Sequence, residues 1–455
     1  MARLFGTDGV RGLANRDVTA ELALALGSAA AHELAAEPQG RSHRSRAVVG
    51  RDPRASGEFL GAAMIAGLAS AGVDVIDLGV LPTPALAYLV SELDCDLGVM
   101  ISASHNPMPD NGIKFFQRGG LKLDDEVEDR IETWIQQTWE LPTGGGVGRV
   151  RIDSGSAVER YIKHLVTSVG TTFDNRPLHG LRIAVDAANG SASVVGPEAL
   201  RQAGADVVVM NASPDGRNIN EKAGSTHPEQ LQAVVVAAQA DFGVAFDGDA
   251  DRCLAVDHLG RLVDGDQILG ILARAMKAEG RLPNNTLVVT VMSNLGLLIA
   301  MRESGIKTIQ TAVGDRYVLE EMRAHGHGLG GEQSGHIILA EHSTTGDGVL
   351  TALHLAAEVK RTGKRLADLA NQIPRLPQTL INVKGVDKDA VEGDEGIQAA
   401  VAAAEKLLGD TGRVLLRKSG TEPVVRVMVE AATQQQADGV ADSLAQVVKE
   451  RLPLK

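Results

Sequence analysis

In "FGVAFDGDADR" an apolar run, Phe242 to Phe246, leads into three carboxylates, Asp247, Asp249 and Asp251. Acids at alternate positions just past a strand can converge on one hard cation, because oxygen ligands suit Mg2+ or Ca2+. Three unpaired carboxylates this close also repel one another, which favours a cation between them. An EF-hand is excluded: its loop wants Gly at the sixth place and Glu at the twelfth, and here those are Arg252 and His258. Three ligands from one loop leave an octahedral Mg2+ open to a phosphate oxygen. A solvated acidic turn is the plainer reading.

"DLGVMISASHNP" has the same layout, a strand and then a polar loop at its carboxyl end, where open α/β sheets gather ligands. Ser104 and His105 are adjacent, but neighbours in sequence rarely aim at each other, and no G-x-S-x-G elbow surrounds the serine. Alone, Ser104 reads as a polar turn residue capping a backbone amide. Lys114, in "NGIKFF", alone reads as a surface lysine. In "GHGLGGEQSGH" a G-x-G-x-x-G match at Gly326, Gly328 and Gly331 is set aside. The dinucleotide fingerprint follows a strand and opens a helix, whereas here helix-like "VLEEMRA" precedes and strand-like "IILA" follows. What remains is Glu332, Ser334 and His336, at alternate positions of a segment that reads as extended, so all three would face one way. An acid, a hydroxyl and an imidazole on one face suit a polyhydroxy ligand; a solvent-facing strand edge fits equally well. "RKSGTEPVVRVMVE" puts Arg417, Ser419, Gly420 and Thr421 in a loop between two strands, with Arg426 on the second. Guanidinium, hydroxyls and backbone amides form a phosphate-binding set, unless this is a hairpin turn with incidental arginines. No P-loop motif occurs.

The elements that carry these loops repeat. Stretches starting near Arg46, Leu181 and Asn285 each run from a β-branched apolar segment through a polar loop into a helix former. Each then passes a small-Gly pair (Ala71-Gly72, Ala203-Gly204, Ser304-Gly305) into a second apolar segment. Strands alternating with helices imply parallel sheets with covered faces, and three copies imply three α/β domains of related build. The last 80 or so residues differ. "QTLINV", "RVLLR" and "VVRVMVE" read as strands, and "EGIQAAVAAAEKLLG" and "QQADGVADSLAQVVKERL" as helices, an antiparallel α+β pattern. A Gly-rich linker is expected over "LPTGGGVGRVRIDSG". The expected divisions are 1–154 with the serine loop, 155–257 with the acidic loop, 258–372 with the "GEQSGH" loop and 373–455 with the C-terminal loop.

A chain of 455 residues with 44% hydrophobic residues can build several cores. Its net charge of −13 and 3% aromatic content argue against nucleic-acid binding, leaving neither an electrostatic footprint nor stacking platforms. Two cysteines, Cys95 and Cys253, fit a reducing cytosol, and "MARLFGTDGVRG" has no apolar core of a signal peptide. No apolar run reaches the roughly 18 residues of a membrane span. A cytoplasmic protein without membrane or nucleic-acid partners is expected.

Taken in order, the serine loop, "DGDADR", "GEQSGH" and "RKSGTEP" resemble the α-D-phosphohexomutase superfamily along essentially the whole chain. Within it, "LFGTDGVRG" and Gln333 of "GEQSGH" are similar to the bacterial phosphoglucosamine mutase branch. The resemblance implies three related α/β domains around a central cleft plus a C-terminal α+β domain. It implies that Ser104 is a phosphoserine and that its phosphate, with Asp247, Asp249 and Asp251, holds Mg2+. Glu332 and Ser334 match residues that bind sugar hydroxyls, and Arg252 joins them in the substrate set. Arg417, Ser419, Gly420, Thr421 and Arg426 match the site of the non-reacting phosphate. Arg11, His105, Lys114 and His336 match polar residues near the transferred phosphoryl group. If Lys114 is a base, its pKa must be depressed by its neighbours. The implied substrate is a phosphosugar, the implied activator a sugar 1,6-bisphosphate, and a homodimer is allowed.

Other readings stay open. "VAFDGDAD" also resembles aspartate-nucleophile phosphatases, with Asp247 carrying the phosphate and Asp249 as acid, although Asp251 stands where those enzymes usually place Thr or Val. A non-catalytic phosphosugar-binding protein would keep the cleft but would need a lost Ser104 or a broken Asp trio, and both are intact. Within the superfamily, phosphomannomutase and phosphoglucomutase are the nearest alternatives.

Overall fold

The computed structural model describes residues 3–6, 8–35, 44–172, 175–418 and 424–454. It divides into two compact units, Met1–Met292 with Ile306–Asn371, and Ser293–Gly305 with Gln372–Lys455.

The first unit holds three sheets, each begun by one of the repeats. In the first, Arg46–Arg51 pairs in parallel with Asp74–Val80 and with Leu97–Ile101. Helix Ser56–Ser70 makes the first crossover and buries Leu60, Met64 and Leu68 in the core. The second sheet is built on Arg182–Asp186, parallel to Asp206–Met210 and Phe242–Phe246, with helix Ala192–Gln202 as crossover. The third pairs Thr286–Thr290 in parallel with Lys307–Thr311. Central strands read as continuous apolar runs because both faces are covered: all five residues of Leu97–Ile101, of Phe242–Phe246 and of Thr286–Thr290 are buried.

The sheets are mixed, not wholly parallel as the alternation of elements implied. Each gains an antiparallel hairpin: Leu97–Ile101 with Asp110–Gln117, Phe242–Phe246 with Cys253–Asp257, and Leu329–Gly331 with Ile337–Leu339. The reason is chain length. A parallel return needs a crossover of a dozen or more residues, and these connections are too short for one. Those short connections are the serine, acidic and "GEQSGH" loops, so each of these three stretches is the tip of a hairpin at the equivalent place in its sheet.

The expected Gly-rich linker also carries a short strand. Val150–Ile152 pairs in parallel with Val75, Ile76 and Asp77 as an outer strand of the first sheet. The Val-Arg-Ile alternation inside the linker composition was its signal.

The second unit is the α+β pattern read from the sequence. Val424–Glu430 lies antiparallel between Gln378–Lys384 and Arg413–Lys418, and helices Glu395–Leu408 and Gln434–Arg451 complete a core with Val425, Val427 and Leu444. Helix Leu295–Glu303, the crossover expected in the third repeat, belongs to this unit. Asn294 caps it through Gly296 N, and Glu430 accepts from Asn294 Nδ2 at 3.2 Å and from Leu295 N at 2.9 Å. No helix among the described residues is long and apolar enough to cross a membrane.

Candidate active site

Three hairpin tips of the first unit converge. The Ser104 hydroxyl donates to Asp247 Oδ2 at 2.6 Å, across 143 positions of sequence. The serine is buried and its backbone is left-handed, φ 52°. Held this way, Ser104 does not cap a backbone amide; its own N–H donates to Ser102 Oγ at 3.0 Å. His105 Nδ1 lies 3.3 Å from Ser104 Oγ, so the two neighbours do meet, which the general argument against adjacent residues did not anticipate. The unusual φ is what turns the two side chains toward one another.

A frame invisible in the motifs holds this loop. Arg54 is fully buried; its Nε donates to Asp52 Oδ2 at 2.9 Å, and its other nitrogens donate to the carbonyls of Ser104, Asn106, Pro107 and Asp110 at 2.6–3.1 Å. Asn220 Nδ2, from the second sheet's side, donates to Ser104 O at 2.9 Å and Asn106 O at 3.0 Å. Gly248 is required here, because a Cβ would lie 2.5 Å from Ser104 O.

Asp247, Asp249 and Asp251 are all buried, and each offers a carboxylate oxygen within 4.8 Å of the others. Burial and the charges of Asp251 and Asp249 push the Asp247 carboxyl well above the usual range. Asp249 Oδ2 accepts from Thr83 Oγ1 at 2.6 Å and from Lys114 Nζ at 2.9 Å. Asp249 Oδ1 and Asp251 Oδ1 are buried with no hydrogen-bond partner among the described residues. Orphaned anionic oxygens beside a repelled third carboxylate fit a divalent cation with oxygen preference, so the donor set suits Mg2+. The solvated-turn reading fails on burial.

Lys114 is no surface residue. It is buried, 2.9 Å from Asp249 and 3.0 Å from Asp8, with Asp251 at 4.0 Å. Burial works against its charge, but the Asp249, Asp8 and Asp251 carboxylates outweigh it and hold the ammonium firmly protonated. The depressed pKa that a lysine base needs is therefore contradicted, and the cause is three acids around one amine. Arg11 pairs with Asp8, and its buried Nε has no hydrogen-bond partner among the described residues. Lys122 links Asp8, at 2.8 Å, to Asp315 of the third sheet's helix. For His105, burial first and the Arg252 and Arg11 charges second push the pKa down to about 4. That keeps the imidazole neutral near pH 7.

The "GEQSGH" tip departs from expectation. Gln333 and Ser334 form a turn, and Gly335, at φ 93°, reverses the chain; Gly335 N donates to Glu332 O and Glu332 N to His336 O, both at 3.0 Å. Glu332, Ser334 and His336 thus do not share one extended face. Gly residues at Gly331 and Gly335, tolerant of close backbone approach, override the alternation. Ser334 is exposed and Glu332 half-buried, with Glu332 Oε1 accepting from Gly314 N at 3.2 Å. His336 is buried; its Nδ1 lies 3.5 Å from Asp251, and its Nε2 accepts from Gly346 N at 3.0 Å. Cys253 N donates to Gly335 O at 3.0 Å, which joins this tip to the acidic one. Arg252 Nε is buried 3.9 Å from Asp251 Oδ1 and has no hydrogen-bond partner among the described residues.

In the second unit, Arg417 and Arg426 are directly opposed across antiparallel strands. Burial and then the Arg426 charge lower the Arg417 pKa. Like charges directly opposed are destabilising unless an anion shares them. Ser419, Gly420 and Thr421 lie outside the described residues.

The comparisons with known proteins agree over the whole chain. It matches the four phosphoglucomutase/phosphomannomutase domains: alpha/beta/alpha domain I over 2–141, alpha/beta/alpha domain II over 159–260, alpha/beta/alpha domain III over 264–376, and the C-terminal domain over 380–447. A phosphoglucosamine mutase of Bifidobacterium adolescentis is 62% identical, with all of both chains covered. One of Streptomyces coelicolor is 60% identical over 99% of this chain and 100% of its own. Among solved structures, a phosphoglucomutase/phosphomannomutase family protein of Burkholderia thailandensis has a TM-score of 0.82 at 26% identity, covering 99% of each chain. The N-acetylphosphoglucosamine mutase of Aspergillus fumigatus, solved with GlcNAc-6P and magnesium, shares the fold at a TM-score of 0.68 and 19% identity, covering 98% of this chain and 95% of its own. With its hairpin tips, buried serine and acidic trio in place, the chain belongs to the phosphoglucomutase/phosphomannomutase family of phosphohexomutases.

Proposed function

We propose that this chain interconverts glucosamine 6-phosphate and glucosamine 1-phosphate through a phosphoserine at Ser104 and a sugar 1,6-bisphosphate that it both uses as activator and forms as intermediate. The observation that carries the reading is the placement of Ser104 Oγ 2.6 Å from Asp247, beside two orphaned carboxylate oxygens. The sugar preference draws its support from the full-length similarity to phosphoglucosamine mutases.

Asp247, Asp249 and Asp251, completed by an oxygen on Ser104, would hold Mg2+, which when bound offsets charge on a transferring phosphoryl group. In the forward half-reaction the P–Oγ bond of phosphorylated Ser104 breaks as a bond forms from phosphorus to the sugar O1. The net proton movement is from the O1 hydroxyl to Oγ. His105, neutral and 3.3 Å from Oγ, is placed to relay it. Lys114 serves as a fixed positive charge rather than a base, and Arg11 with its unpaired Nε is a second donor for the group in transit. The bisphosphate then turns end for end, Oγ attacks the phosphorus of the 6-phosphate, the P–O6 bond breaks, and the serine's proton passes to O6, leaving glucosamine 1-phosphate and phosphorylated Ser104. Such chemistry asks mostly for positioning and charge neutralisation, which a preformed cage supplies. Glu332 and Ser334 would bind sugar hydroxyls, with Arg252 in the same set. Arg417 and Arg426, with Ser419, Gly420 and Thr421, would grip the phosphate that is not reacting.

The phosphatase alternative is disfavoured because Asp247 Oδ2 is engaged by Ser104 Oγ at 2.6 Å, which puts the serine oxygen where a substrate phosphate would have to meet the carboxylate. The test is direct. The protein is loaded with labelled sugar 1,6-bisphosphate and treated with hydroxylamine, and label at Ser104 should survive where an aspartyl phosphate would be destroyed. kcat/KM is then compared for glucosamine, glucose and mannose phosphates; a preference for glucose or mannose would overturn the sugar assignment.

A further inference from the structure

The "HGHG" stretch, part of the glycine match set aside in the sequence, forms a cluster the mutase reading does not use. Glu321 and His325 sit four residues apart on one face of helix Asp315–His325. Gly326 ends the helix in a left-handed cap, φ 68°, and turns His327 back toward the same face. His325 Nδ1 lies 2.9 Å from Glu321 Oε1, and His327 Nε2 lies 3.7 Å from that same oxygen. One ligand atom from each residue falls within 4.8 Å of the other two. Besides the acidic trio of the active site, this is the only such group among the described residues.

An independent observation concerns His327. Its side chain is 6% exposed, and neither ring nitrogen has a hydrogen-bond partner among the described residues. A buried imidazole with both nitrogens unsatisfied calls for an explanation, since buried polar atoms are nearly always paired. It lines a cleft with Pro283, Leu319 and Met322; Glu341, Ser343 and Thr344 line the same cleft, but none of them hydrogen-bonds either ring nitrogen. A cation held jointly with Glu321 and His325 satisfies one nitrogen.

We propose that Glu321, His325 and His327 form a second metal site, selective for a borderline transition cation such as Zn2+ rather than Mg2+. Imidazole nitrogens favour zinc-like ions, while carboxylate-only sets favour Mg2+. Bonds of about 2.0–2.1 Å in a tetrahedron place ligand atoms roughly 3.3 Å apart, and 2.9 and 3.7 Å lie on either side of that spacing. Two imidazoles and one carboxylate leave the fourth position for water. The site ties the end of a helix to the chain entering strand Leu329–Gly331, which leads into the "GEQSGH" tip.

The inference is independent of the mutase reading, and so is its test. Tag-free protein with Mg2+ in excess is titrated with Zn2+ against a chromophoric chelator, and with Co2+ while visible absorption is followed. Wild type should take up one equivalent of Zn2+ and give the intense bands of four-coordinate Co2+. Glu321→Gln and His325→Ala, both on the helix surface, should weaken Zn2+ binding by about tenfold or more while Mg2+-supported turnover stays at the wild-type level. Equal Zn2+ uptake by wild type and both variants, or no uptake by wild type at micromolar Zn2+, would overturn the proposal.

Discussion

The serine tip and the "GEQSGH" tip are hairpins at equivalent places in their sheets, yet they are built to opposite specifications. Around Ser104, four carbonyls are pinned by one buried guanidinium, and two of these also accept from Asn220. Around Ser334, the turn is held by backbone bonds, its own and those from Cys253 N and Gly265 N, and the serine faces solvent. The first arrangement fixes the serine oxygen against a carboxylate. The second leaves side chains free to adjust to a ligand that must be read in two orientations. Preorganisation is concentrated where bonds would change, and adaptability where hydroxyls would be recognised.

The sharpest way to break this comparison is Ser104→Ala. Turnover should fall by roughly four orders of magnitude or more even with added sugar 1,6-bisphosphate, because no nucleophile remains. Near-normal turnover in a coupled assay would remove Ser104 from the chemistry altogether.

Next comes the clamp. Arg54→Met leaves Asp52 as an uncompensated buried carboxyl and strips the guanidinium from four carbonyls, two of which keep only Asn220, so denaturant unfolding should show a loss of about 3–5 kcal/mol. Arg54→Lys keeps the charge but not the fork, and the serine loop should loosen rather than unfold. We expect kcat to drop about 100-fold with KM little changed; a change confined to KM would mean the clamp serves binding.

A pH experiment examines the base of the third hairpin. Asp347 is buried, caps helix Gly348–Thr362 through Leu350 N at 2.9 Å and accepts from Tyr161 Oη at 2.7 Å. Burial raises its pKa from 3.8 to about 6. The folded state therefore binds more protons than the unfolded one between these values, so this carboxyl makes stability fall as pH rises from about 4 to about 6, by about 3 kcal/mol at most. Asp347→Asn keeps the cap acceptor and should flatten that slope; an unchanged slope would show that the carboxyl is not the titrating group.

The smallest effect should come from Ser334→Ala. An exposed hydroxyl that bonds a sugar contributes about 1 kcal/mol, so KM should rise roughly fivefold with kcat nearly constant. A large fall in kcat instead would mean the flexible tip is as preorganised as the serine tip.

Much of this arrangement was legible in the sequence because each loop is local. The apolar run before "DGDADR" and the C-terminal strands both follow from short-range periodicity. The frame was not legible, because it is made at a distance: Arg54, Asn220, Thr83, Asp8, Lys122 and Asp315 act across 50 to 193 positions. Of these only Asp8 stands in a stretch singled out from the sequence, and "LFGTDGVRG" gives no sign of the lysines it pairs with. Lys114 shows the limit most clearly, since "NGIKFF" carries no sign of the three acids that surround the amine. The alternation of Glu332, Ser334 and His336 misled for the converse reason: a period of two is also what a tight Gly-bearing turn can spell.

The left-handed φ of Ser104 reaches beyond geometry into which replacements are tolerated. Threonine carries the same hydroxyl and is the nearest chemical substitute for this serine. Its branched Cβ, however, is strongly disfavoured at positive φ, where small or unbranched residues are accommodated. The backbone therefore excludes the one chemically equivalent alcohol before any question of reactivity arises. At this position serine is selected by conformation as much as by its oxygen.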